Sequence, residues 1–164
     1  MIRLILGIVC VLAAASPAGA ELTAASIAGR WQGENLGFAR APESCADGAC
    51  TLTLDIVQCG EGWCGILVGR DNACGDTALK LEAGKGEAGG LLLKGTLELA
   101  RGTEPYVVEA YLEPAAGDAP ASLQLTGDTG GEFRAFRRSF PFNALLARAS
   151  DAVCRSPQTV SLAD

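Results

Sequence analysis

Six cysteines follow the opening stretch of twenty residues: Cys45, Cys50, Cys59, Cys64, Cys74 and Cys154. They have the widest choice of chemistry in the chain, because thiols form disulfides, ligate zinc as thiolates or work as redox pairs. Two pairs share one spacing, with four residues between the cysteines in "CADGAC" and "CGEGWC". Thioredoxin-like exchange places C-x-x-C at a helix N-terminus, where one thiolate is stabilised and the other resolves it. Neither pair has that spacing, and Cys59–Cys64 falls between the β-patterned stretches Leu52–Gln58 and Trp63–Gly69. Gly60 and Gly62 permit a tight reversal there, so a disulfide can join the two arms of a hairpin. Zinc requires four thiolate or imidazole ligands in tetrahedral array, and the chain has no histidine. Six cysteines allow fifteen complete pairings. The local turns favour Cys59–Cys64 and, around Asp47-Gly48, Cys45–Cys50. Cys74 and Cys154 then pair and close a long loop. The expected role of all six is structural, with no metal and no cofactor.

The rest of the chain offers little for catalysis. Without histidine, a serine or cysteine nucleophile lacks its usual general base. Glu98, Glu109 and Glu113 face outward in a β register. Paired carboxylates serve glycosidase chemistry only when they flank a cleft about 5–10 Å apart. "LEAGKGEAGG" lacks the strand, lysine-serine and helix of a phosphate loop. Asp71, Asn72 and Asp76 surround Cys74 with oxygen ligands but not at EF-hand spacing, and a polar loop is the expectation. The reading is non-enzymatic, with a hydrolase acting on an envelope substrate as the enzymatic alternative.

The beginning of the chain bears on compartment. "MIRLILGIVCVLAAASPAGA" has a positive charge at Arg3, an apolar run from Leu4 to Ala15, and Ala18-Gly19-Ala20. That is the pattern of a secretory signal peptide over residues 1–20, with Cys10 inside its apolar region. The run is too short to span a bilayer, which takes about 20 residues. Residues 21–164 are expected to form one disulfide-stabilised domain in the periplasm or secreted. Without Arg3 it has 12 basic against 19 acidic side chains, a formal charge of −7. An acidic surface with no Lys/Arg cluster repels phosphate backbones, so nucleic acid is not an expected partner.

Any site must be positioned by short strands, because period-two alternation recurs along the chain. "TLTLDIVQ" turns Leu52, Leu54 and Ile56 inward and Thr51, Thr53 and Asp55 outward. "LLLKGTLEL" and "YVVEAYLE" alternate as cleanly, through Leu91, Leu93, Gly95 and Leu97 and through Tyr106, Val108, Ala110 and Leu112. "SIAGRW", "WCGILVG", "TALKLEA", "ASLQLTG" and "EFRAFRR" complete about eight strands, separated by turns such as "RGTEP" and "PAAGDAP". Short connections make them antiparallel. The expected fold is all-β, closed into a small lipocalin-like barrel, with a two-sheet sandwich as the alternative. Gly29, Gly65, Gly95 and Ala110 suit a narrow barrel with little interior volume. Phe142, Leu145 and Leu146 stand at near-helical spacing, which predicts a short C-terminal helix over "SFPFNALLARASDA". Trp31 in the first strand and Arg134, Arg137 and Arg138 in the last would be neighbours in a closed barrel. There a guanidinium can lie over the indole face, and Gly29, Trp31, Arg137 and Arg138 are the expected barrel-closing group.

Gly29-Arg30-Trp31, the succession of strands and a distal arginine resemble the Gly-x-Trp and Arg arrangement of calycins, the lipocalin-like barrels. "IAGRW…LTLDIVQCGEGWCGILV" more closely resembles a secreted bacterial family known as domain of unknown function 2147. That family has a Gly-x-Trp start and a Cys-Gly-x-x-x-Cys-Gly turn, here Cys59-Gly60 and Cys64-Gly65. "APESCADGAC" departs from it. The resemblance implies a barrel and supplies no activity. The expected function is that of an envelope protein with a mostly filled barrel and a protein partner in the envelope. A lipocalin-like carrier of a small apolar ligand is the alternative.

Overall fold

The computed structural model describes residues 24–35, 50–82, 85–87, 90–129 and 141–155. A 3-10 turn (Ala24–Ile27) leads into β1 (Gly29–Asn35), β2 (Thr51–Cys59), β3 (Gly62–Val68) and β4 (Cys74–Leu81). There follow β5 (Lys85–Glu87), β6 (Gly90–Leu97), β7 (Tyr106–Glu113), β8 (Ser122–Asp128) and β9 (Pro141–Ser150). The strand order is β4-β3-β2-β1-β9-β8-β7-β6, all antiparallel, and a β4–β6 pairing joins the ends. Eight strands therefore form one closed barrel, and β5 is a short arm hairpinned onto the start of β6.

Closure leaves no unpaired edge on the ring, which an open eight-stranded sheet would expose on β4 and β6. The seam sets Leu79, Lys80 and Leu81 against Leu97, Thr96 and Gly95. A Cβ on Gly95 would collide with the Lys80 carbonyl oxygen, so the small residue on this apolar face permits the close approach of the two strands.

Alternation delivers the core. Leu54 and Ile56 from β2, Leu93 and Leu97 from β6, and Leu123 and Leu125 from β8 are fully or almost fully buried in one cluster. Each such side chain contributes about 1.5–3 kcal/mol on leaving water. Tyr106 and Phe142 meet at one end, with ring centroids 5.2 Å apart.

One expected element is overturned. Pro141–Ser150 is a strand, β9, where near-helical spacing predicted a helix. Phe142, Ala144 and Leu146 face the core while Leu145 faces out and is 55% exposed. The tertiary setting decides this: β9 pairs with β1 on one side and β8 on the other, and a helix would leave both without a partner. The expected signal peptide over 1–20 and the expected strand over 132–138 lie outside the described residues.

Candidate functional site

Chemistry on this barrel is found on its outer wall. Cys59 and Cys64 form a disulfide across the β2–β3 hairpin, and Cys74 bonds Cys154, each with a Cα–Cα separation of 5.7 Å. Cys50 is also disulfide-bonded. Its expected partner, Cys45, lies outside the described residues.

A second buried layer lies outside the main core. Asp55 points outward from β2, as its parity requires, yet it is completely buried. Arg30, its register partner on β1, donates from Nε to Oδ1 at 2.7 Å and from Nη2 to Oδ2 at 2.9 Å. The backbone amides of Val153 and Cys154 donate to the same Oδ2 at 2.8 and 2.7 Å. The segment after β9 thus crosses the wall over β2 and is bolted to the start of β4 through Cys74–Cys154. Burial alone would push the Asp55 carboxyl up, but Arg30 and the two amides outweigh it and hold the group below its ordinary value near 3.8. Sequence alternation places Asp55 on the correct, outward face but does not reveal its burial. Its cover comes from residues 98 and 99 positions away, a contact that no local pattern announces.

Of the expected barrel-closing group, Gly29 and Trp31 fall within the described residues. Trp31 is fully buried, and its Nε1 donates to the Ile27 carbonyl at 2.8 Å. Arg137 and Arg138 lie outside the described residues, as does Arg134. Among the described residues, Arg148 of β9 is set against the first strand, its Cα the register partner of Trp31. Its Nη2 donates to Asp151 Oδ1 at 2.8 Å and reaches the Ala28 carbonyl at 3.4 Å. Gly29 has φ +146°, and a Cβ there would lie 2.9 Å from Arg148 Nε. The positive φ favours glycine at this position of Gly-x-Trp, and a side chain there would also displace the Arg148 guanidinium. Arg148 was missed because its stretch read as helix.

The expected carboxylates are spread out and engaged. Glu109 pairs with Lys94 at 2.8 Å, and Glu113 accepts from Ser122 Oγ at 3.1 Å. Glu98 accepts from the Gly102 amide. Asp71, Asn72 and Asp76 do not converge: Asp71 accepts from the Ala73 amide, Asn72 from Arg30, and Asp76 pairs with Arg101 at 2.8 Å.

A cleft of about 670 Å³ runs along the β3–β4 wall, from the Cys59–Cys64 disulfide to the loop after β6. Leu67 and Leu99 supply apolar surface, and both pack against the core. Lys80, the register partner of Cys64, projects into it and has no ion pair among the described residues. Arg101, by contrast, is matched by Asp76. No sequence signal marked this cleft, because its residues come from β2, β3, β4 and the loop after β6.

A closed eight-stranded antiparallel barrel, with Gly-x-Trp on its first strand and an arginine of its last strand laid against that glycine, is consistent with a calycin or lipocalin-like fold. Comparisons of the chain with protein-family models, with curated proteins and with solved structures found no match. Among the described residues no helix is long and apolar enough to cross a membrane.

Proposed function

We propose that the protein is an exported, non-enzymatic binding barrel that carries a small, largely apolar ligand with an acidic head. The ligand lies in the cleft along β4, and the barrel axis is filled by side chains. One observation carries this reading: the inward leucines are packed out of solvent, while the cleft has the volume of a small-molecule site, about 300–1,000 Å³. Leu67, Leu99 and the Cys59–Cys64 disulfide would take the apolar body, and Lys80 the acidic head.

Export to the periplasm or the exterior is supported by the opening twenty residues and by the disulfides, which persist in oxidising compartments. The absence of histidine and the separate engagement of Glu98, Glu109 and Glu113 favour a binding role over hydrolysis. Kinship with the domain of unknown function 2147 family rests on Gly29, Trp31, Cys59-Gly60 and Cys64-Gly65. A second reading, docking to an envelope protein, draws on the exposed Val107 and Leu145. These lie on strands separated by β8 and do not form one patch.

Native mass spectrometry of protein taken from its own compartment tests the proposal. A co-purifying organic acid, lost in Lys80→Glu, is expected. A co-purifying protein with no small molecule would favour the docking reading instead.

A further inference from the structure

A second hollow lies on the same outer wall, beyond the Arg30–Asp55 pair. Gln32 of β1 and Thr53 of β2 are register partners, and Thr51 follows on the same face. The turn after β3 closes over them. It is internally braced, with Gly69 N–H to Ala73 O and Asn72 N–H to Gly69 O both at 2.9 Å. Asn72 takes the left-handed φ of 62° and accepts from Arg30 Nη1 at 2.9 Å, which ties the turn to β1. The hollow has a volume of about 280 Å³, and among the described residues no carboxylate lines it.

The groups lining this space have a particular chemistry. Arg30 spends three of its five N–H donors on Asp55 and Asn72, its side chain is 13% exposed, and Asp55 offsets its charge. It is a fixed donor at the floor. Thr51, Thr53 and Gln32 each both donate and accept, as neighbouring hydroxyls of a ligand require. Arg70 at the rim has no ion pair among the described residues. Asp71 beside it accepts from the Ala73 amide at 3.0 Å. Among the described lining residues, Val68 supplies the apolar side chain.

We propose that this shelf binds a small hydroxylated anion, a sugar acid of one ring. Its hydroxyls meet Thr51, Thr53 and Gln32, and its carboxylate meets Arg70. A bare anion would leave the three neutral groups unused, and an apolar ligand would strand them. The site is separate from the cleft along β4, and neither proposal depends on the other.

The test is an amide-resolved NMR titration with D-glucuronate, with D-glucose and acetate as parallel probes. Glucuronate is expected to shift the amides of Thr51, Thr53 and Arg70, with glucose and acetate each binding about tenfold or more weakly. Arg70→Ala should cost glucuronate about tenfold and leave glucose unchanged, since a charge-assisted bond is the one removed. Thr53→Val, with the rest of the spectrum preserved, should weaken both sugars. Glucuronate shifts no larger than those of acetate, or full glucuronate affinity in Arg70→Ala, would overturn the proposal.

Discussion

Arg30 and Asp55 face each other across β1 and β2, and the guanidinium grips both carboxylate oxygens at 2.7 and 2.9 Å. The pair lies on the outside of the barrel, yet Asp55 is out of solvent, because Val153 and Cys154 lie across it and donate their amides to it. One carboxylate therefore fastens three parts of the chain: the first strand, the second strand and the segment after the last.

Asp55→Asn removes the charge and turns an amide group toward donors that need an acceptor. A cost of about 3 kcal/mol is expected, the low end for breaking a buried pair, since Arg30 keeps some contact with water. Urea unfolding of the two proteins with disulfides intact measures it.

Asp55 also sets an acid limit. Its folded value lies below the ordinary 3.8, so the stabilisation it supplies is complete above that value. As pH falls from there toward the folded value, the unfolded chain binds the proton first and stability drops. Below the folded value this contribution is gone. Thermal unfolding followed from pH 6 downward should show a decline below roughly pH 4 that is shallower in Asp55→Asn.

The two described disulfides differ in what they constrain. Cys74–Cys154 spans 80 positions and Cys59–Cys64 spans five. Loop-closure entropy assigns about 4–5 kcal/mol to the first and about 2 kcal/mol to the second. Chemical denaturation of Cys74→Ser/Cys154→Ser should therefore show roughly twice the loss of Cys59→Ser/Cys64→Ser.

Gly29 carries two constraints that a double-mutant cycle separates. Gly29→Ala should cost about 1–3 kcal/mol for the positive φ, plus a steric part from Arg148. In an Arg148→Ala background the part due to the guanidinium disappears, while the backbone part and the contact with the Ser150 carbonyl persist. Equal losses in both backgrounds would show that Arg148 exerts no steric demand at Gly29.

The strands legible in the sequence are those whose alternation matches their burial, above all β2, β6 and β7, where every second residue enters the core. β9 was illegible for a physical reason: Phe142, Leu145 and Leu146 fit a helical face as well as a strand. Only the neighbours β1 and β8, distant in sequence, choose between them. The same misreading hid Arg148. Asp55, Lys80 and the shelf around Thr53 escaped notice because an outward residue on a strand looks solvated until the chain that covers or borders it is placed. Local turn chemistry, by contrast, sufficed for Cys59–Cys64.

The filled axis and the external cleft are tested together by methyl NMR during titration with octanoate, an apolar chain with an acidic head. Shifts confined to Leu67 and Leu99, abolished in Lys80→Glu, are the predicted result. Shifts at Leu93 and Leu125, deep inside the barrel, would mean that the ligand enters along the axis and would contradict it.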